Sequence, residues 1–239
     1  NFHFPILIGE NLFCANFFDD THQYNDFIKG KELDFILGNP PWKKNKSAQH
    51  LDWINSTQIY SNKIKGELEI AQSFLLRSKD FMQEKTVSAL IVTSTIFYNV
   101  STTTREFKTA FLKKFCISTF FDLSAVKQSL FEQQESPATI VFYSLSKNDD
   151  YMTNTINHQS LKANLFLKYF KVLVIEKFDK KQVLQKHFIE NDWMFKIALY
   201  GNSLDFLFLK RLEDTKTQIK DLIDDKVVFK GAGIERGEK

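Results

Sequence analysis

The 239-residue chain is 43% hydrophobic, 15% aromatic and 26% charged, a globular balance that excludes disordered, collagenous and disulfide-scaffold classes. Its net charge of +3 is too small to demand a polyanionic partner, and its basic side chains are nearly all Lys; arginine occurs only at Arg77, Arg105, Arg211 and Arg236. The length allows one large domain or one and a half smaller ones, and no apolar run approaches the ~20 residues of a membrane helix.

The first residues, Asn1-Phe2-His3-Phe4-Pro5, have no Met and no basic-then-apolar signal pattern, so the sequence is read as the middle of a longer chain. Phe4 to Cys14 is apolar and extended in character. Leu33-Asp34-Phe35-Ile36-Leu37 is a short apolar run stopped by Gly38-Asn39-Pro40-Pro41, which predicts a buried strand ending in a tight turn. Glu67 to Lys85 places Leu68, Ala71, Leu75 and Met82 on one helical face, with Phe74 and Phe81 alongside. Val87 to Thr93 is a second buried strand. Ser101 is suited to cap a helix that runs to Lys114 and ends in a Lys pair favoured by the helix dipole.

Ile117 to Leu123 and Thr139 to Leu145 complete four apolar strands. Strands separated by helices predict an open α/β sheet covered on both faces. After Lys147 the texture turns polar; Lys171 to Glu176 is expected to be a further strand, and Lys180 to Asp225 largely helical. Val227-Val228-Phe229 reads as the first strand of another unit. The only cysteines, Cys14 and Cys116, lie far apart in apolar stretches and fit a reduced, cytoplasmic compartment.

One segment carries chemistry. At the carboxyl end of a predicted strand, where open α/β sheets bind ligands, stand Asn39, Pro40, Pro41 and Trp42. The Asn39 side-chain oxygen accepts a hydrogen bond. The prolines fix φ and remove an N–H, so backbone carbonyls are presented rigidly without a competing donor. Two acceptors aimed at one point suit an exocyclic –NH₂ group, and Trp42 offers a plane on which its ring can stack, worth ~1–3 kcal/mol per base. The N6 lone pair of adenine is conjugated into its ring and is a poor nucleophile. Holding both of its hydrogens frees that lone pair, and the same acceptors stabilise the positive charge that develops as a methyl group arrives. Such a base must leave the duplex.

Other chemistries are thin. The five histidines show no ligand spacing with one another or with cysteine, so no metal site is expected. Neither cysteine follows a proline, as the covalent cytosine-C5 mechanism would require. Asp179/Lys181 and Asp214/Lys216 have the spacing of nuclease acid–lysine pairs but read better as solvated helix faces.

Asn39-Pro40-Pro41-Trp42 resembles motif IV, Asn-Pro-Pro-aromatic, of the amino-group methyltransferases that use S-adenosylmethionine. Ala15-Asn16-Phe17-Phe18 resembles the family's Ala-Asp-Phe-Leu stretch, which implies cofactor-adenine contacts for Asn16 and Phe17, with Asn16 in place of the usual Asp. Ser88 to Tyr98 resembles the strand and loop after the catalytic motif. Ser129-Leu130-Phe131 and Ser136 to Val141 resemble motif VIII, which implies that Phe131 stacks on the second face of a flipped base. Lys43, Lys44 and Lys46, directly after the turn, are candidates for DNA phosphate contacts. Trp193 to Leu212 and Phe229 to Gly237 are similar to the junction before the target-recognition domain of type I and type IIG restriction–modification methylases.

The resemblance implies an N6-adenine DNA methyltransferase with the gamma-type motif order. Its implied fold is a partial Rossmann-like methyltransferase sheet over residues 1–147, a mostly helical extension over 148–225 and the start of a target-recognition domain over 226–239. The implied cofactor is S-adenosylmethionine and the implied partner double-stranded DNA, with a specificity subunit or fused nuclease domain besides. The family's glycine-rich cofactor loop should precede Asn16, where only Gly9 stands, so the sequence is read as lacking the first sheet strands. The alternative is a permuted motif order, with Phe229-Lys230-Gly231-Ala232-Gly233 as that loop. Two other functions stay open: a protein-glutamine methyltransferase, which uses the same turn on a side-chain amide, and a DNA-binding or specificity module that kept the fold without the cofactor.

Overall fold

A computed structural model describes residues 7–42, 49–61, 69–130 and 136–214. Their helices are α1 (Tyr24–Ile28), α2 (Gln49–Ser56), α3 (Ile70–Arg77), α4 (Thr95–Tyr98), α5 (Thr102–Lys114), α6 (Lys127–Leu130), α7 (Leu165–Phe170), α8 (Gln185–Glu190), α9 (Met194–Tyr200) and α10 (Ser203–Glu213). The strands are β1 (Phe35–Gly38), β2 (Val87–Thr93), β3 (Phe115–Asp122), β4 (Ala138–Leu145), β5 (Thr155–Ser160) and β6 (Lys180–Leu184). They form one sheet in the order β1-β2-β4-β3-β5-β6.

β1 pairs parallel to β2 and β3 parallel to β5, while β4 runs antiparallel to both β2 and β3, and β6 antiparallel to β5. Thus β1, β2, β3 and β5 point the same way. Their carboxyl ends, Gly38, Thr93, Asp122 and Ser160, lie on one edge of the sheet, the edge where ligands bind in open α/β folds. The predicted α/β architecture is the one observed, with a sheet that is mixed rather than all parallel.

The four apolar segments at residues 33–37, 87–93, 117–123 and 139–145 all become strands, β1 to β4, but β1 is not the buried strand expected: it lies at the edge of the sheet, with Phe35 and Leu37 exposed. β2 is largely buried along its length, which is why it reads as a continuous apolar run. The abundance of phenylalanine is explained by the core. Phe97, fully buried, has ring centroids of Phe107, Phe111, Phe120 and Phe195 between 5.0 and 6.1 Å away. The helix expected after Ser101 is α5, and the Ser101 hydroxyl accepts the Thr104 amide at 3.4 Å.

Three further expectations are corrected. Residues 7–14 form no regular strand: Gly9, at φ +81°, turns the chain so that the Leu7 carbonyl accepts amides of Asn11 and Leu12, leaving only a bridge between Ile8 and Leu12. Lys171–Glu176 is not a strand, because Lys171 sits in the left-handed region at φ +56° and terminates a helix there. The sheet does not stop at Lys147, and the stretch expected to be mostly helical supplies β5 and β6. β5 escapes notice because its inward positions are Ile156, His158 and Ser160, two of them polar.

Asp179 is buried rather than solvated, receives the Glu176 amide at 2.9 Å and lies 3.6 Å from Lys162, so it closes a turn. The first compact unit runs from Asn1 to Leu199 and the second from Tyr200 to Lys239. Within the second, α10 starts from a capping box in which Asn202 accepts the amides of Leu204 and Asp205, and Asp205 accepts that of Asn202.

Two polar clusters fasten the α8–α9 region, one to α5 and β3 and the other to α5. Gln185, fully buried, donates to the carbonyls of Leu112 and Phe115 at 2.6 and 2.7 Å and accepts from the Ile117 amide and the Asn154 side chain at 2.9 and 2.7 Å. Asp192 bridges the buried Lys108 ammonium and, at 2.7 Å, the Arg105 guanidinium. No helix among the described residues is long and apolar enough to cross a membrane.

Candidate functional site

The turn after β1 is built from both directions. A Cβ at Gly38 would stand 2.9 Å from Leu90 Cδ2, so a larger residue at the start of the turn would require the buried Leu90 side chain to shift. Asn39 is exposed, Pro40 is buried, and Pro41 is exposed again. Trp42 is half-buried. Its indole Nε1 donates to the Ile91 carbonyl at 3.1 Å, and its ring packs against the cluster of Leu123, Val126, Ala138, Leu161 and Leu167. The turn therefore presents an amide to solvent while its aromatic ring is fixed to the sheet.

Polar groups from the other strand ends line the same edge. Ser94, just after β2, donates its amide to the Pro137 carbonyl at 2.9 Å and holds the Ser124 hydroxyl at 3.0 Å. Asp122, at the end of β3, is buried and accepts the Tyr98 hydroxyl at 2.5 Å and the Ser124 amide at 2.8 Å. Burial pushes the Asp122 carboxyl up from its ordinary value, and the hydrogen bonds from Tyr98 and Ser124 oppose that shift.

The Asn16–Phe18 turn is equally well held. The Asn16 oxygen accepts the Phe18 amide at 3.0 Å, and its amide nitrogen donates to Gln49 Oε1, at the start of α2, at 2.5 Å. The Phe17 ring stacks on Phe74 with centroids 4.6 Å apart and planes at 11°. Its carbonyl accepts two hydrogen bonds, from Arg77 Nε at 2.8 Å and from the Tyr24 hydroxyl at 2.7 Å. Arg77 is itself buried and paired with Asp20 at 2.5 Å and Asp80 at 3.4 Å. Phe17 also lines a cavity of about 490 Å³ whose walls include Leu12, Phe13, Ala15, Phe35 and Leu37.

Phe17 and β1, which carries the Asn39 turn, thus share a cavity, and Asn16 is bonded to the helix that follows that turn. Phe131 and Lys43, Lys44 and Lys46 lie outside the described residues. Sequence reasoning missed Arg77, Tyr24 and Gln49. For Arg77 a signal existed: it is one of only four arginines in a Lys-rich chain, it lies on an apolar helix, and arginine is the cation suited to burial with several acceptors.

Residues 9–131, just over half of the chain, match the Eco57I restriction-modification methylase family. Among solved structures, the type I restriction-modification system methyltransferase subunit from Streptococcus thermophilus is similar with a TM-score of 0.50 at 15% identity, over 69% of this chain and 37% of that one. The type IIG restriction endonuclease BpuSI is similar with a TM-score of 0.44 at 14% identity, over 70% of this chain and 20% of that one. At 15% identity the likeness to the Streptococcus subunit speaks for the fold alone. The chain spans little more than a third of the Streptococcus subunit's length. No curated protein matches the chain.

Proposed function

Because the chain belongs to the Eco57I restriction-modification methylase family, we propose that it is the catalytic portion of a DNA adenine-N6 methyltransferase that acts on a base flipped out of the duplex. The observation that carries this reading is the corner at the end of β1: an exposed Asn39 amide on a proline-stiffened turn beside a Trp42 ring tied to β2. In this reading the Asn39 oxygen and the Pro40 carbonyl hold the two hydrogens of the target amine. Pro41 stiffens the turn, and Trp42 and Phe131 cover the two faces of the base. Lys43, Lys44 and Lys46 contact the neighbouring phosphates. No covalent nucleophile is needed; the chain's task is to orient the amine and stabilise the positive charge that appears on it.

The cofactor of this reaction would be S-adenosylmethionine, which supplies the methyl group. Phe17 and Ala15 fit its adenine end, because both line the cavity beside β1. Asn16 already uses both ends of its amide within the chain, so its contact with a cofactor amine requires exchange of the Gln49 bond. For the methionine end no cradle is found among the described residues: Gly9 belongs to the Leu7–Leu12 turn. Residues 226–239 are read as the onset of a target-recognition domain, and a specificity subunit or a fused nuclease as further partners.

The test is methyl transfer from labelled S-adenosylmethionine to duplex DNA, followed by nucleoside analysis for N6-methyladenine. Asn39→Ala is expected to abolish transfer while leaving the melting temperature unchanged, since Asn39 is exposed. Label appearing in protein glutamine, or undiminished transfer in the variant, would overturn the assignment.

A further inference from the structure

Helix α7 is well built and poorly buried. The Asn164 side chain caps its start by accepting the Leu167 amide at 2.9 Å, and Lys171 closes its end in a left-handed conformation, donating its amide to the Leu167 carbonyl at 3.2 Å. Yet of its six residues only Leu167 is buried. Leu165, Phe166, Tyr169 and Phe170 are all between 57% and 71% exposed. Such a contiguous apolar face, held in shape by caps at both ends, marks an interaction site rather than a piece of core.

Its chemistry and position indicate the partner. The Phe166 and Phe170 ring centroids are 6.3 Å apart, so two rings stand side by side, with Tyr169 adjacent and the Lys168 ammonium 5.2 Å from the Tyr169 ring. From Leu161 to Ile175 the sequence contains Lys162, Lys168 and Lys171 and no Asp or Glu. Aromatic rings interleaved with lysines, free of acids, complement bases and phosphates better than an apolar protein surface. The one buried residue of α7, Leu167, belongs to the cluster on which Trp42 packs, so the helix and the Asn39–Trp42 turn rest on one apolar cluster. Lys171 adds a further sign: lysine occupies a backbone position that glycine would fill with less strain.

We propose that α7 is a DNA-contacting platform beside the methylation site, in which Phe166, Tyr169 and Phe170 stack on bases exposed next to the extruded one and Lys168 and Lys171 neutralise phosphates. This rests on the reading of the chain as a DNA methyltransferase.

The experiment is fluorescence anisotropy of the full chain with a labelled duplex bearing a mismatch, titrated at several salt concentrations. The variants are Phe166→Ala/Phe170→Ala, Lys168→Ala and Lys171→Gly. Alanine favours helix and glycine favours the Lys171 backbone, so none should lower the melting temperature. The aromatic pair variant is expected to bind at least about fivefold more weakly. Each lysine variant should flatten the log–log salt dependence by about 0.7 to 0.9. Wild-type binding with unchanged variant affinity and salt slope would overturn the α7 proposal alone, as would variants that alter only the oligomeric state. Absence of DNA binding by the wild-type chain would overturn the methyltransferase reading with it.

Discussion

Trp42 Nε1 donates to the backbone carbonyl of Ile91 across 3.1 Å, joining the turn after β1 to the middle of β2. This bond fixes the ring that is read as the platform for the target base, so its orientation does not depend on the base arriving. Trp42→Phe keeps an aromatic ring on the cluster of Leu123 and Val126 and removes the donor together with part of the ring area. The expected cost is about 1 kcal/mol of stability. Methyl transfer should fall more than the melting temperature suggests, because a freely turning ring no longer presents one face. Parallel thermal denaturation and initial-rate measurements check this; a rate equal to wild type would detach Trp42 from the chemistry.

Gln185 satisfies four partners with one side chain; three of them, the Leu112 and Phe115 carbonyls and the Ile117 amide, belong to buried residues, and the fourth, Asn154, is half-buried. Gln185→Leu has similar volume but leaves the Leu112 and Phe115 carbonyls, the Ile117 amide and the Asn154 amide without it. Unmet buried groups cost about 1–3 kcal/mol each, so the variant should lose at least about 3 kcal/mol. Urea denaturation measures the loss directly. A change below about 1 kcal/mol would mean that these groups find other partners.

His158 is fully buried, stacked on Phe120 with centroids 5.1 Å apart, and neither ring nitrogen has a hydrogen-bond partner. Burial, assisted by the charge of Lys181, pushes its pKa down to about 3. The unfolded chain, with an ordinary histidine near 6.5, then binds a proton that the folded chain refuses. Stability is therefore full above pH 6.5 and declines as the pH falls toward 3, by at most about 1.4 kcal/mol per unit. His158→Leu, close in volume, should weaken this acid dependence by one proton. Urea midpoints at pH 7.5 and pH 5.0 test it: the gap between them must narrow in the variant.

Much of the fold was legible because the relevant residues obey simple patterns. Val87–Thr93 is largely buried on both faces and Ala138–Leu145 is buried on one face and half-buried on the other, and a near-continuous apolar run is the signature of such environments. The Asn39 turn was legible because prolines and a strand end constrain the chain strongly. What stayed hidden depended on partners distant in sequence. β5 alternates correctly, but its inward residues include His158 and Ser160, so its pattern does not look apolar. Arg77 holds the Phe17 carbonyl from 60 residues away, a relationship that no local spacing encodes. Residues 7–14 are apolar yet largely exposed, and composition alone cannot separate them from a buried strand.

The placement of β4 between β2 and β3 also governs how the molecule can assemble. β2 and β3 are never neighbours; the edge that each turns toward the other is filled only by β4, whose first residue lies 45 positions beyond the end of β2. During translation, β2 and β3 must therefore wait with apolar edges unpaired until residues 138–145 have left the ribosome. Such delayed, long-range closure is slow and invites misassociation. A nascent chain halted before β4 should be the species that chaperones hold.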